Sequence, residues 1–135
     1  MTSEPWFTEP NDAVWTDQAT GLPCMIVRAT NLGHLCGYVG VLPKHKAFGE
    51  DLDGVLLQAI DVHGGVAYSS RTNPLRAKEG LLWWVGFDCA QHGDLIPFMH
   101  PVMGGFMSFN LTGTYRDFPF VRDQCASLAM QLQAL

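Results

Sequence analysis

The sequence predicts a single α+β domain, a mainly antiparallel or mixed β-sheet packed by a C-terminal amphipathic helix and one short helix. Three observations carry this. The chain has 135 residues, 47% of them hydrophobic and only 16% charged, enough apolar matter for one continuous core and far from the composition of disorder. Several short β-favouring runs are separated by Gly and Asn turns. Near the C-terminus, Val121, Cys125, Leu128, Leu132 and Leu135 recur at helical spacing, which builds one apolar face.

Residues 1 to about 20 are rich in Glu, Asp, Pro and Thr but carry Trp6, Phe7, Val14 and Trp15. They read as a polar N-terminal arm pinned by aromatic anchors, with the domain proper spanning 21–135. Leu22–Ala29 and His34–Val41 flank an Asn/Gly turn and predict a hairpin. That register sets Cys24 opposite Val39 and Cys36 opposite Val27, too far apart for a disulfide. Residues 42–49 read as an exposed loop with a solvated His45. Over residues 51–60, Leu52, Val55, Leu56, Ala59 and Ile60 trace one face of a short helix weakened by Gly54. Val62–Tyr68 reads as a strand with a bulge at Gly64-Gly65, and residues 70–80 as a polar loop. Leu81–Phe87 is an apolar run too short for a typical helix and is expected to be a central strand buried on both faces. Residues 95–113 mix Gly and Pro with Met and Phe, as in an irregular apolar loop. The last helix begins with Asp117 as its cap and Pro119 in its first turn.

Eight Lys and Arg against thirteen Asp and Glu leave a net charge of -5, with the basic residues scattered. Nothing there forms the positive stripe that a phosphate backbone requires, so no nucleic-acid partner is expected. No run approaches the ~18 apolar residues of a membrane span, and Met1–Trp6 has no signal-peptide pattern. A cytoplasmic protein with no membrane partner is the expectation, its four cysteines free thiols.

Trp15–Cys24, Gly33–Val41 with Gly-Tyr-Val-Gly-Val at 37–41, Val62-His63-Gly64-Gly65, Trp84–Cys89, His92-Gly93-Asp94 and Tyr115-Arg116-Asp117 together resemble a family of small uncharacterised bacterial and phage proteins associated with mobile elements. The resemblance runs from about Trp15 into the last helix and implies an accessory role rather than central metabolism. Residues 98–109, rich in Met and Phe, depart from the family's pattern.

The segment Asp88-Cys89-Ala90-Gln91-His92-Gly93-Asp94 places two carboxylates, a thiol and an imidazole at the end of the apolar strand, where sites often gather. Three readings compete. In the first, Asp88 caps a turn or pairs with Arg116, His92-Gly93-Asp94 is a locally satisfied turn, and Cys89 is a small core residue. In the second, Cys89, His92, His63 and Asp88 or Asp94 hold Zn²⁺, although no paired Cys-x-x-Cys or His-Glu-x-x-His pattern accompanies them. In the third, Cys89 is a nucleophile kept ionised by His63 or His92, with Asp61, Asp88 or Asp94 orienting the imidazole and Gly64-Gly65 supplying backbone donors.

The working reading is the first, a non-catalytic accessory or binding protein that takes a small molecule or a protein and uses no cofactor. Its pocket or contact surface is expected near Asp88, from Trp84, Asp94, Arg116 and the apolar side chains of Met99, Met103 and Phe106, with self-association into a homodimer as one use of that loop. The alternative is a small hydrolase built on Cys89, His63, His92 and Asp88, or on a bound metal.

Overall fold

The computed structural model describes residues 4–99 and 113–135. Five strands, β1 (Asp12–Thr16), β2 (Pro23–Arg28), β3 (Leu35–Val41), β4 (Tyr68–Thr72) and β5 (Glu79–Asp88), form one antiparallel sheet in the order β1-β2-β3-β5-β4. A helix of sixteen residues, α2 (Phe118–Gln133), and a single helical turn, α1 (Val55–Gln58), complete an α+β fold. No helix among the described residues is long and apolar enough to cross a membrane.

Helix α2 lies on one face of the sheet because its apolar stripe matches that of the strands. Val121, Cys125, Leu128 and Leu132 are fully buried against Cys24, Ile26, Leu35, Val39, Val85 and Phe87, which recur at every second position of β2, β3 and β5. Close approach is made possible at Gly37, where a Cβ would sit 2.5 Å from the Phe87 ring and 2.8 Å from the Cys125 sulfur. The expected hairpin register is found, with Cys24 paired to Val39 and Cys36 to Val27, and all four cysteines are free thiols. Strand β5 is buried on both faces from Trp84 to Phe87, whereas Leu81 at its start is 64% exposed.

Five expectations change. The arm ends at Asp12: residues 12–16 pair with β2 as an edge strand, a segment whose polar flanks conceal its alternation. Further upstream, Trp6 is buried and packs edge-on against Tyr115. The helix expected over 51–60 shrinks to one turn. Within that turn Leu57 is buried while Val55 is 89% exposed, and Ile60 is buried beyond its end, so the apolar residues of 51–60 do not share one helical face. Residues 62–65 are a turn rather than a bulged strand, since Gly64 and Gly65 have φ of 70° and 80° and the Gly65 N–H reaches the Val62 carbonyl at 2.8 Å. Finally, β4 takes part of the segment expected to be a loop. His45 is not a solvated side chain either: the Ala47 amide donates to its Nδ1 at 2.9 Å, leaving Nε2–H to donate to the Leu132 carbonyl at the end of α2 at 2.8 Å.

Candidate functional site: a buried carboxylate at the end of β5

The chain leaves β5 at Asp88 and turns at once. The Asp88 carboxylate accepts hydrogen bonds from the Ala90 amide at 3.0 Å and the Gln91 side-chain amide at 2.9 Å, an arrangement of the Asx-turn kind. Gln91 in turn fills the space above Gly64, where a Cβ would collide with its side chain. Beyond Asp94 the chain comes back to its own path: Leu95 N–H donates to the Thr114 carbonyl at 2.9 Å and Thr114 N–H to the Gly93 carbonyl at 2.8 Å, a short parallel bridge. That bridge sets Arg116 beside Asp94.

Asp94 is the centre of the cluster. Its side chain is fully buried, and its two oxygens are divided among three donors. Arg116 Nε donates to Oδ1 at 2.8 Å, while Oδ2 accepts from His63 Nε2 at 2.8 Å and from the Gln91 amide at 3.0 Å. Burial opposes ionisation of this carboxyl. The hydrogen bonds from Arg116, His63 and Gln91 outweigh burial and hold its pKa below the usual carboxylate range. Because a carboxylate only accepts, His63 carries its proton on Nε2 in this arrangement and turns Nδ1 away from Asp94.

Each residue of Tyr115-Arg116-Asp117 has a separate task. Tyr115 donates its hydroxyl to Glu9 at 2.6 Å and accepts from the buried Arg28 at 3.0 Å, and Glu9 also accepts from the Phe118 amide at 2.8 Å. Arg116 holds Asp94, and Asp117 caps α2 by accepting from the Phe120 amide at 3.0 Å. The pairing of Arg116 with Asp88 offered by the sequence is therefore replaced by one with Asp94, because the bridge at Thr114 brings Arg116 to the far end of the turn.

The 61–63 segment is gripped by a second face of α2. Gln124 accepts from the His63 amide at 2.9 Å, and Gln131 accepts from the Asp61 amide and donates to the Asp61 carbonyl. The Phe120 ring meets His63 edge-on at 5.1 Å and lies under the Arg116 guanidinium at 4.8 Å. His63, Arg116, Phe120 and Gln124 line a depression of about 490 Å³ with Asp61, Val62, Gly64 and Ser127. Neither Gln124 nor Gln131 stands out in sequence as part of a site. The signal that exposes them is a polar stripe Gln124-Ser127-Gln131 running beside the apolar one.

Other expected site residues are placed elsewhere. Cys89 is 2% exposed within the core, its amide bonded to the Leu35 carbonyl at 3.0 Å. Burial, reinforced by Asp94, pushes its thiol pKa well up. No imidazole is hydrogen-bonded to Cys89 among the described residues, so its surroundings oppose the thiolate that nucleophilic attack requires. His92 is exposed and makes no hydrogen bond among the described residues. Among those residues no group of three or more His, Cys, Asp and Glu side chains converges as metal ligands would, so Cys89, His92, His63, Asp88 and Asp94 do not come together as the Zn²⁺ reading needs. Trp84 belongs to the sheet face opposite α2, lining a separate apolar depression with Val14, Met25, Leu75 and Leu82. Met99 ends a short 3₁₀ turn, Pro97–Met99, whereas Met103, Phe106 and most of the Met/Phe-rich loop lie outside the described residues. In comparison with known proteins, no family model, curated protein or solved structure matches the chain.

Proposed function

We propose that this chain is a small binding protein of accessory type, which uses the depression beside Asp94 to hold a carboxylate-bearing group of a ligand or partner. The observation that carries this reading is the way Asp94 orients its two neighbours. It takes one donor from each of Arg116 and His63, so the Arg116 fork is held in place while its terminal nitrogens make no hydrogen bond among the described residues. A planar guanidinium fixed in this way suits a planar carboxylate. Among the described residues Arg116 is the one Lys or Arg lining the depression, and Asp61 also lines it, which favours a single negative group over a polyphosphate. The motif resemblance supports an accessory role on a mobile element, and four free cysteines support a cytoplasmic setting. Titration with acetate and larger monocarboxylates, followed by amide NMR shifts, tests the reading. Shifts at Gly64, Gln124 and Ser127 that disappear in Arg116→Gln are expected, and no shift at millimolar concentration overturns it.

A second reading rests on the same 2.8 Å bond. With its Nε2–H given to Asp94, His63 is left with an Nδ1 lone pair that can take a proton from water, the arrangement of a general base. Hydrolysis of an activated ester that is lost in His63→Gln but retained in Cys89→Ala would favour this reading over binding alone.

A further inference from the structure

The two outer edges of the sheet are built differently. At β4 the register shifts between Ser70 and Thr72, Arg71 is exposed, and the backbone of Thr72 is occupied by its own surroundings: its amide donates to Ser70 Oγ at 3.0 Å and its carbonyl accepts from the Tyr68 hydroxyl at 2.5 Å. A bulge, a charge and occupied backbone groups are what protect an edge from further pairing. Strand β1 has neither the bulge nor the occupied backbone groups, and its one charged side chain, Asp12, stands at its first residue. It is regular over all five residues, with no Pro, Gly, Lys or bulge.

Which of its backbone groups are free follows from the ladder. Arg28 N–H donates to the Asn11 carbonyl at 2.8 Å and Asp17 N–H to the Leu22 carbonyl at 2.9 Å. Odd-numbered residues are therefore the ones bonded to β2, because hydrogen-bonded and non-bonded pairs alternate in an antiparallel ladder. Asp12, Val14 and Thr16 thus turn their N–H and C=O outward, and no described residue takes them. Val14 is also 61% exposed, although it borders the apolar depression floored by Met25 and Trp84.

We infer that β1 is a docking edge for a second copy of this chain, pairing antiparallel with its own counterpart about a two-fold axis through Val14 and continuing the sheet across two subunits. The occupant is argued from self-complementarity. About Val14, Asp12 meets Thr16 of the other copy and Asn11 meets Asp17, so no carboxylate faces a carboxylate. Centring on Asp12 would set Asp12 against itself, which is unfavourable. On the helix side, Trp15 meets Ala13, a large side chain against a small one. On the other side the two Val14 side chains cover each other and extend the apolar strip toward Met25. The outward groups at positions 12, 14 and 16 become a hydrogen-bonded ladder, the mode of β-augmentation.

Sedimentation velocity over a concentration series, together with cysteine substitution, tests the inference. The wild type is expected to reach twice the mass of one chain by roughly 100 µM. Val14→Pro removes only an outward N–H and is expected to weaken association at least tenfold with an unchanged thermal midpoint; should it fail to fold, Val14→Lys serves instead. Mild oxidation of Val14→Cys is expected to give a covalent dimer, since residues opposed in a hydrogen-bonded pair lie about 5.5 Å apart, within disulfide reach. Thr16→Cys, displaced from its own copy, is expected not to cross-link. A chain that stays monomeric throughout, a dimer indifferent to both Val14 variants, or equal cross-linking at 14 and 16 overturns the inference. Capture of an unrelated extended peptide at β1 by a monomeric chain would do the same.

Discussion

Asp88 and Asp94 close the same strand six residues apart, yet they do different work. Asp88 is half-buried and accepts from one backbone amide and one side-chain amide, all within its own turn. Asp94 is fully buried and ties together the β5 turn, the Gly64-Gly65 turn and the lead into α2 through Gln91, His63 and Arg116. The difference teaches that a carboxylate's weight in a fold is set by how many separately arriving segments it joins and by how little water remains to replace them. Two identical side chains in one seven-residue segment thus divide into a local turn former and a three-way clamp.

Removing the clamp is the strongest way to break the comparison. Asp94→Ala is expected to destabilise the protein by about 3 kcal/mol, the lower end for a buried pair because Arg116 and His63 partly reach solvent. Urea unfolding checks this. The same loss in Asp88→Ala would erase the distinction.

Acid titration sharpens it. The folded-state pKa of Asp94 lies below its unfolded value. Its contribution is therefore present in full above the unfolded pKa of about 3.9 and disappears as pH falls through the lower folded value. The wild type is expected to lose stability more steeply on acidification than Asp94→Asn, and parallel curves would show that ionisation of Asp94 is not the link.

Between the two carboxylates sits Cys89, which is expected to behave as core. Cys89→Ser is expected to cost about 2 kcal/mol by burying a hydroxyl with no ready partner. The native thiol should resist alkylation at pH 8 until the protein unfolds, as mass spectrometry would show. Rapid labelling of the folded protein would restore Cys89 as a reactive group. The smallest effect is expected at Asp88, where Asp88→Ala removes one turn cap and costs about 1 kcal/mol in the same unfolding experiment, close to other local caps.

The legible part of this molecule is the part governed by short-range pattern. The hairpin register followed from one Asn/Gly turn, the buried β5 from a run of apolar residues, and α2 from its stripe, its Asp117 cap and Pro119. The same reasoning overextended α1, because Leu52, Val55, Leu56, Ala59 and Ile60 fit a helical face that the chain does not form. It also missed β1, whose alternation of Asp, Ala, Val, Trp and Thr gains meaning only beside β2.

For the site, composition alone marked the segment from Asp88 to Asp94 and nominated His63 and Arg116 as its partners. Which carboxylate they would meet was decided by the Thr114 bridge, and the support from Gln124 and Gln131 by how α2 lies across the 61–63 turn. Those contacts join residues 22 to 70 positions apart. Turn chemistry, apolar periodicity and helix capping act between neighbours in the chain and are written in the sequence. Burial of Asp94 and Cys89 depends on which surfaces finally exclude water, and tertiary packing alone determines that.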